Sequence, residues 1–283
     1  MKTRAPRQAG RFYPGDREGC KSAILEMLSG QEQEGYAKEP PVAGIAPHAG
    51  WFFSGKLALK VMMNIKEVKP ETIVILAAHT SHSWPAEVTA YDFWDTPIGK
   101  VEVDKEFVSV LVDLGFSPGD QHHDVDHSVE VHLPFMKTLL PDARLVAVAL
   151  ASNDEAAGYG RLFSKAAERT GRKITVIGST DLTHYGLSYG LAPKGIGSEA
   201  LEWVKKENDK RMVDLIEALD CEAIVPEAIK RRNSCGAGAV AAALAHAREM
   251  GRTRAEILDY TTSYDIYPKG GPDSFVGYVA AIA

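Results

Sequence analysis

Short runs of consecutive apolar residues recur along the chain: VAGIA (42–46), TIVILAA (72–78), RLVAVAL (144–150), KITVIGS (173–179) and SFVGYVAAIA (274–283). Most lack alternation of polar and apolar positions, which predicts strands covered on both faces. Between them, segments 17–29, 54–66, 104–114, 154–170, 198–219 and 235–250 have helical periodicity or composition. The strand-then-helix order predicts an α/β fold, a single layered domain over 1–283 with a mainly apolar, mixed or parallel sheet covered by helices. No internal repeat, low-complexity tract or long linker divides the chain, and QEQEGYAKEPP (31–41) is short enough for a surface loop.

Composition narrows the function classes. With 32 Lys and Arg against 38 Asp and Glu, the net charge is −6, and no basic stripe interleaved with aromatics offers a track for phosphates. Nucleic acid is therefore not an expected partner. The basic N-terminal segment has no continuous apolar core, and no run approaches the ~18 apolar residues of a membrane span, so a cytoplasmic protein with no membrane partner is expected. Cys20, Cys221 and Cys235 make neither a CxxC pair nor the even set of a disulfide scaffold.

In α/β sheets, ligand sites gather beyond the carboxyl ends of strands, so polar residues directly after an apolar run carry weight. VAGIA runs into Pro47-His48-Ala49-Gly50, TIVILAA into His79-Thr80-Ser81-His82, and KITVIGS into Thr180-Asp181-Leu182-Thr183-His184. Two imidazoles at strand ends suit a shared ligand, whereas His82 reads as solvent-facing. Asn233-Ser234-Cys235-Gly236 opens a small, apolar helix, and a thiol at that position would feel the positive end of the helix dipole, which favours thiolate. Asp181 and His184 would share a face if the chain turned helically, the carboxylate then orienting the imidazole.

The densest polar stretch, QHHDVDHSVEVHLPF (121–135), carries five ionisable candidates beyond Asp124 and Asp126. His122 and His123 read as exposed loop residues. His127, Glu130 and His132, bracketed by apolar residues, are better placed for buried function. Trp51, just after His48, is a candidate for lining the cleft, while Trp84, Trp94 and Trp203 read as packing. Nucleotide-loop signatures (GxGxxG after the first strand, GxxxxGK[ST]), the GxSxG elbow and the HExxH helix are missing, so no nucleotide cofactor is expected.

Taken in order, AGRFYP (9–14), APHAGWFFSG (46–55), the strand ending in His79, DTPIGKVEVD (95–104), DHSVEVHLPF (126–135), STDLTHYG (179–186) and NSCGAG (233–238) resemble the MEMO family over essentially the whole chain. The resemblance implies a domain similar to the LigB-like class III extradiol dioxygenases, whose members use non-haem iron. It also implies a cleft of two histidines and a cysteine, matching His48, His79 and Cys235 as ligands of one metal ion. Asp181 and His184 match the family's site-lining pair, with His127, Glu130 and His132 nearby. Two departures stand out: Leu76-Ala77-Ala78 replaces the usual Gly-Pro and Asn or Ser before the second histidine, and Asp126 replaces a Glu. In prokaryotes the resemblance implies a functional link to a radical-SAM protein and an AMMECR-like protein.

Three readings follow. In the first, the protein is a redox enzyme with iron or copper, or zinc, at His48, His79 and Cys235. His184, Asp181, His132 and Cys235 serve catalysis, and Trp51, His127 and Glu130 bind a small substrate. The second is a non-catalytic module binding a peptide or anion in the same cleft. The third is a metal-free Cys–His enzyme with Cys235 as nucleophile.

Overall fold

Four of the five apolar runs form the parallel centre of one mixed sheet, in the spatial order Ala43–Ala46, Ile174–Ser179, Thr72–Ala77 and Arg144–Ala149. The computed structural model describes residues 1–29 and 39–283, so most of the loop expected at 31–41 lies outside the described residues. The fifth run, Ser274–Ile282, lies antiparallel against Ala43–Ala46. It also pairs antiparallel with Glu256–Thr262 and with His184–Gly186. On the other flank Glu87–Thr89 runs antiparallel to Arg144–Ala149 and is followed by Ser117–Gly119. A small second sheet joins Thr3–Arg4, Phe93–Trp94 and Val101–Glu102.

The continuous apolar runs have their reason in double cover. A Cβ added at Gly44 would meet Val61 and Ile65 of helix Trp51–Val68, whereas one at Gly178, beside Ile45, would meet the Ala239 carbonyl of helix Ala237–Glu249. Gly44 and Ile45 are successive strand residues and point to opposite faces. The two helices therefore cover opposite faces, and Val74, Ile75, Val146, Val176 and Ile177 between them have no solvent exposure. The mixed α/β architecture follows the sequence pattern.

The helices also fall near their expected spans. Arg17–Ser29, Lys105–Asp113 and Ala156–Thr170 are regular, and the Asp104 carboxylate caps the second by accepting from the Phe107 N–H at 3.1 Å. The segment expected at 198–219 is interrupted, with α-helical Ser198–Trp203 and Asp209–Glu217 flanking a π-helical turn at Val204–Asn208. Helix Cys221–Arg231 and strand Glu256–Thr262 are additions to the sequence reading. Among the described residues no helix is long and apolar enough to cross a membrane.

Candidate metal centre

The parallel strands deliver three loops to one side of the molecule, at their carboxyl ends. His48 follows the first strand by two residues, His79 follows Thr72–Ala77 by two, and Thr180 and Asp181 follow Ile174–Ser179 directly. Cys235 arrives from the loop before helix Ala237–Glu249. Its N–H donates to the Asp181 carbonyl (3.1 Å), and its carbonyl accepts from the His79 N–H (3.2 Å). The close fit of this loop shows at Gly236, where a Cβ would lie 2.1 Å from the Ser179 carbonyl oxygen. At 78, where the resemblance would put Asn or Ser, the backbone N–H of Ala78 donates to Ser128 Oγ at 2.8 Å.

At the centre, His48 Nε2 lies 3.3 Å from His79 Nε2 and 3.3 Å from Cys235 Sγ. Hydrogen bonds elsewhere on each ring decide what those nitrogens carry. The Ser179 hydroxyl donates to the Ser128 carbonyl (2.8 Å), which can only accept, so its oxygen must accept from His48 Nδ1–H (2.9 Å) and His132 Nε2–H (3.1 Å). His79 Nδ1–H donates to Asp126 Oδ2 at 2.7 Å. Both remaining Nε2 atoms are thus lone-pair donors in the neutral rings, aimed at each other and at the sulfur.

Such a convergence needs a proton or a cation between its members. Tetrahedral ligands at Zn–N distances of about 2.0–2.1 Å stand roughly 3.3 Å apart, the separation found here. Carboxylate-to-imidazole support of the kind Asp126 gives His79 is also the usual backing of a metal-ligating histidine. His48, His79 and Cys235 form one group that could hold a metal ion, and His79, Asp126 and His127 form a second that shares His79.

Electrostatics match a centre that holds a proton when no cation is present. Burial alone would neutralise His79, but its hydrogen bonds to Asp126 and Cys235 raise its pKa to about 10. Burial would raise Asp126 as well, yet its bonds to His79 and Ser128 hold it well below the usual carboxylate range. His48 is pushed well below the ordinary imidazole value by burial and by the neighbouring His79 and His127. Cys235 corrects the sequence expectation: the helix begins two residues later, at Ala237, and burial raises the thiol rather than the dipole lowering it. One compensating donor is the Asp181 N–H, 3.2 Å from the sulfur.

Asp181 is buried and accepts from the His48 N–H at 2.8 Å, with its other oxygen 3.9 Å from His48 Nε2. Burial outweighs these backbone bonds and raises its pKa to about 7. His184 does not pair with it through a helical turn. The residue lies in strand His184–Gly186, its Nδ1–H donating to the Leu182 carbonyl at 3.2 Å, which leaves Nε2 as the basic nitrogen. His127 is half-buried, its ring 5.3 Å from His48 and 5.1 Å from His79. Phe12, which sequence reasoning did not single out, covers it at 4.4 Å.

Several expected site residues have other duties. Trp51 turns into the core, donating from Nε1 to the Val131 carbonyl (3.0 Å) and stacking on Phe135. Glu130 has no exposure and spends both oxygens on the N-terminal segment, in an ion pair with Arg4 (2.6 Å) and bonds from Tyr13 OH and the Gln8 N–H. His132 is buried behind Ser179, its pKa lowered to about 4 by burial, so it reaches the centre only through that hydroxyl. His122 and His123, expected on the surface, are buried. His82 faces solvent as expected.

A family model described as Memo-like protein matches residues 4–282. MEMO1 family proteins of Thermococcus onnurineus and Pyrococcus furiosus are 35% and 34% identical, the alignments covering 99% and 97% of this chain and 98% and 96% of theirs. A solved structure, the uncharacterized protein JW3007 from Escherichia coli K12, superposes with a TM-score of 0.46 at 15% identity, over 85% of this chain and 99% of that one.

Proposed function

The chain belongs to the Memo-like protein family, and from that premise we propose that it is a metal-dependent oxidoreductase for a small molecule, with one iron or copper ion held by His48, His79 and Cys235. The observation that carries this reading is the convergence of two imidazole lone pairs and a thiol, with His48 Nε2 3.3 Å from both His79 Nε2 and Cys235 Sγ and each ring backed by its own partner. When bound, such an ion supplies one-electron chemistry and Lewis acidity, and a soft thiolate beside two imidazoles suits iron or copper as well as zinc.

The chain's own groups do the rest. Ser179 fixes the His48 tautomer, and Asp126 fixes and polarises His79. Asp181, with its pKa near 7, holds or releases a proton beside His48 Nε2. His184 offers Nε2 as a base, and its half-buried ring is within reach of an incoming molecule. Phe12 packs on His127, whose ring lies beside both ligand imidazoles. The three free cysteines suit a reducing, cytoplasmic setting.

The test is metal content by elemental analysis of untagged protein purified anaerobically, for wild type, Cys235→Ser and His79→Ala. About one iron or copper per chain in wild type, lost in both variants, is expected. A wild type that is metal-free and takes up neither Fe(II), Cu(I) nor Zn(II) overturns the reading and leaves Cys235 nucleophilicity or simple ligand binding to account for the cleft.

A further inference from the structure

The π-helical turn Val204–Asn208 lies outside the centre, yet at its junction with helix Asp209–Glu217 two adjacent polar residues are both buried, Asn208 and Asp209. Successive residues of an α-helix diverge by about 100°, and a widened turn re-aims side chains that a regular helix would separate. What these two hold is specific. Asp209 Oδ1 accepts from the Thr183 N–H (3.0 Å) and from the Thr183 hydroxyl, and Oδ2 accepts from Tyr260 OH (2.8 Å). Asn208 Nδ2 donates to Thr183 Oγ1 (2.9 Å) and to the Arg231 carbonyl (3.2 Å), and the Asn208 carbonyl accepts from Asn233 Nδ2 (2.7 Å).

One residue pair thus grips two loops. Thr183 belongs to the loop that carries Asp181, and Arg231 and Asn233 flank the approach to Cys235. The loops are bonded to each other where the sulfur sits, through Cys235 N–H to the Asp181 carbonyl, Asp181 N–H to Sγ, and Thr180 Oγ1 to Ser234 Oγ at 2.8 Å. The grip is tight from the far side as well, since a Cβ on Gly277 would lie 1.9 Å from Asp209 Oδ2.

We infer that Asn208 and Asp209 are positioning residues for Cys235, setting the spacing of the Asp181 and Cys235 loops and so the place of the sulfur relative to His48 and His79. The inference rests on the reading of His48, His79 and Cys235 as a metal centre. The clamp itself touches none of the three ligands.

The experiment uses Co(II) as an anaerobic probe in the full chain, comparing wild type with Asn208→Ala, Asp209→Ala and Asp209→Asn. Asparagine keeps an oxygen for Thr183, so it is the rescue variant. Folded Ala variants are expected to bind Co(II) at least about tenfold more weakly and to shift or lose the thiolate-to-cobalt absorption band, while Asp209→Asn regains both. Ala variants with the wild-type affinity and band overturn the inference. If wild type itself takes no Co(II), the metal reading is left to the uptake test above and the clamp is judged separately, by the pH profile of Cys235 alkylation read at its own peptide. That profile should move in the Ala variants and return in Asp209→Asn, and an unmoved profile overturns the inference. Should Asp209→Ala not fold, Gly277→Ala displaces the same carboxylate with every bonding group retained, under the same two readouts.

Discussion

His79 sits at φ +61°, a left-handed conformation that costs most residues about 1 kcal/mol and that glycine adopts freely. The imidazole is held in this strained turn by its carboxylate partner and by the backbone bond to Cys235. His79→Gly should therefore be more stable than His79→Ala by about 1 kcal/mol, read from urea unfolding midpoints. Equal midpoints would show that the turn relaxes once the ring is gone. His48, His79 and Cys235 were legible in the sequence because each follows an apolar run or, for Cys235, comes just before an apolar helix. The duties of Glu130 and Trp51 were not, since Glu130 meets an arginine 126 positions away and Trp51 bonds a carbonyl 80 positions away. No local pattern records pairings at such range.

Helix Ala237–Glu249 is built from alanine, glycine and valine for most of its length, and the reason lies in what it touches on each side. A Cβ on Gly160 of helix Ala156–Thr170 would lie 2.1 Å from the Ala242 carbonyl, and one on Gly238 would lie 2.4 Å from the Ala151 carbonyl. Both obstacles are backbone, so neither can swing aside. Gly160→Ala should cost about 1–3 kcal/mol or more through overpacking, despite the better helix propensity of alanine, and a shift of the denaturant midpoint measures it. A neutral or stabilising effect would show that the two helices can separate without loss. At this scale the apolar runs announced the sheet, and the small residues announced a close-packed helix. Helix Cys221–Arg231 was hidden by Pro226 inside it, and the π turn left no sign because a one-residue insertion does not disturb the helical composition of 198–219.

Across the whole molecule, burial holds two histidines outside the ligand set neutral. His246, beside Ser164, is lowered to about 4, and His123, beneath Arg4 and His122, to about 3. In the unfolded chain each would titrate near 6.5, so below that pH the unfolded state binds protons that the native state refuses. Stability is complete above about 6.5 and falls as pH drops toward 4, by up to about 1.4 kcal/mol per pH unit for each such histidine. Urea midpoints between pH 7.5 and 5 give the slope, and His246→Gln should reduce it by about one proton's worth. An undiminished slope would mean that His246 already carries charge in the fold. A different consequence follows from strand Ser274–Ile282, which comes after every other described strand in sequence yet lies inside the sheet. It joins Ala43–Ala46 to His184–Gly186, and its Gly277 exchanges hydrogen bonds with Leu182 and Thr183. During synthesis the Leu182–Thr183 end of the centre must therefore wait for residues 274–282 to leave the ribosome before it is tied to the sheet, with a long loop closure still to be made. A nascent chain halted before residue 274 would already contain both histidines and the cysteine, and would still lack the strand that ties the Leu182–Thr183 loop to the sheet.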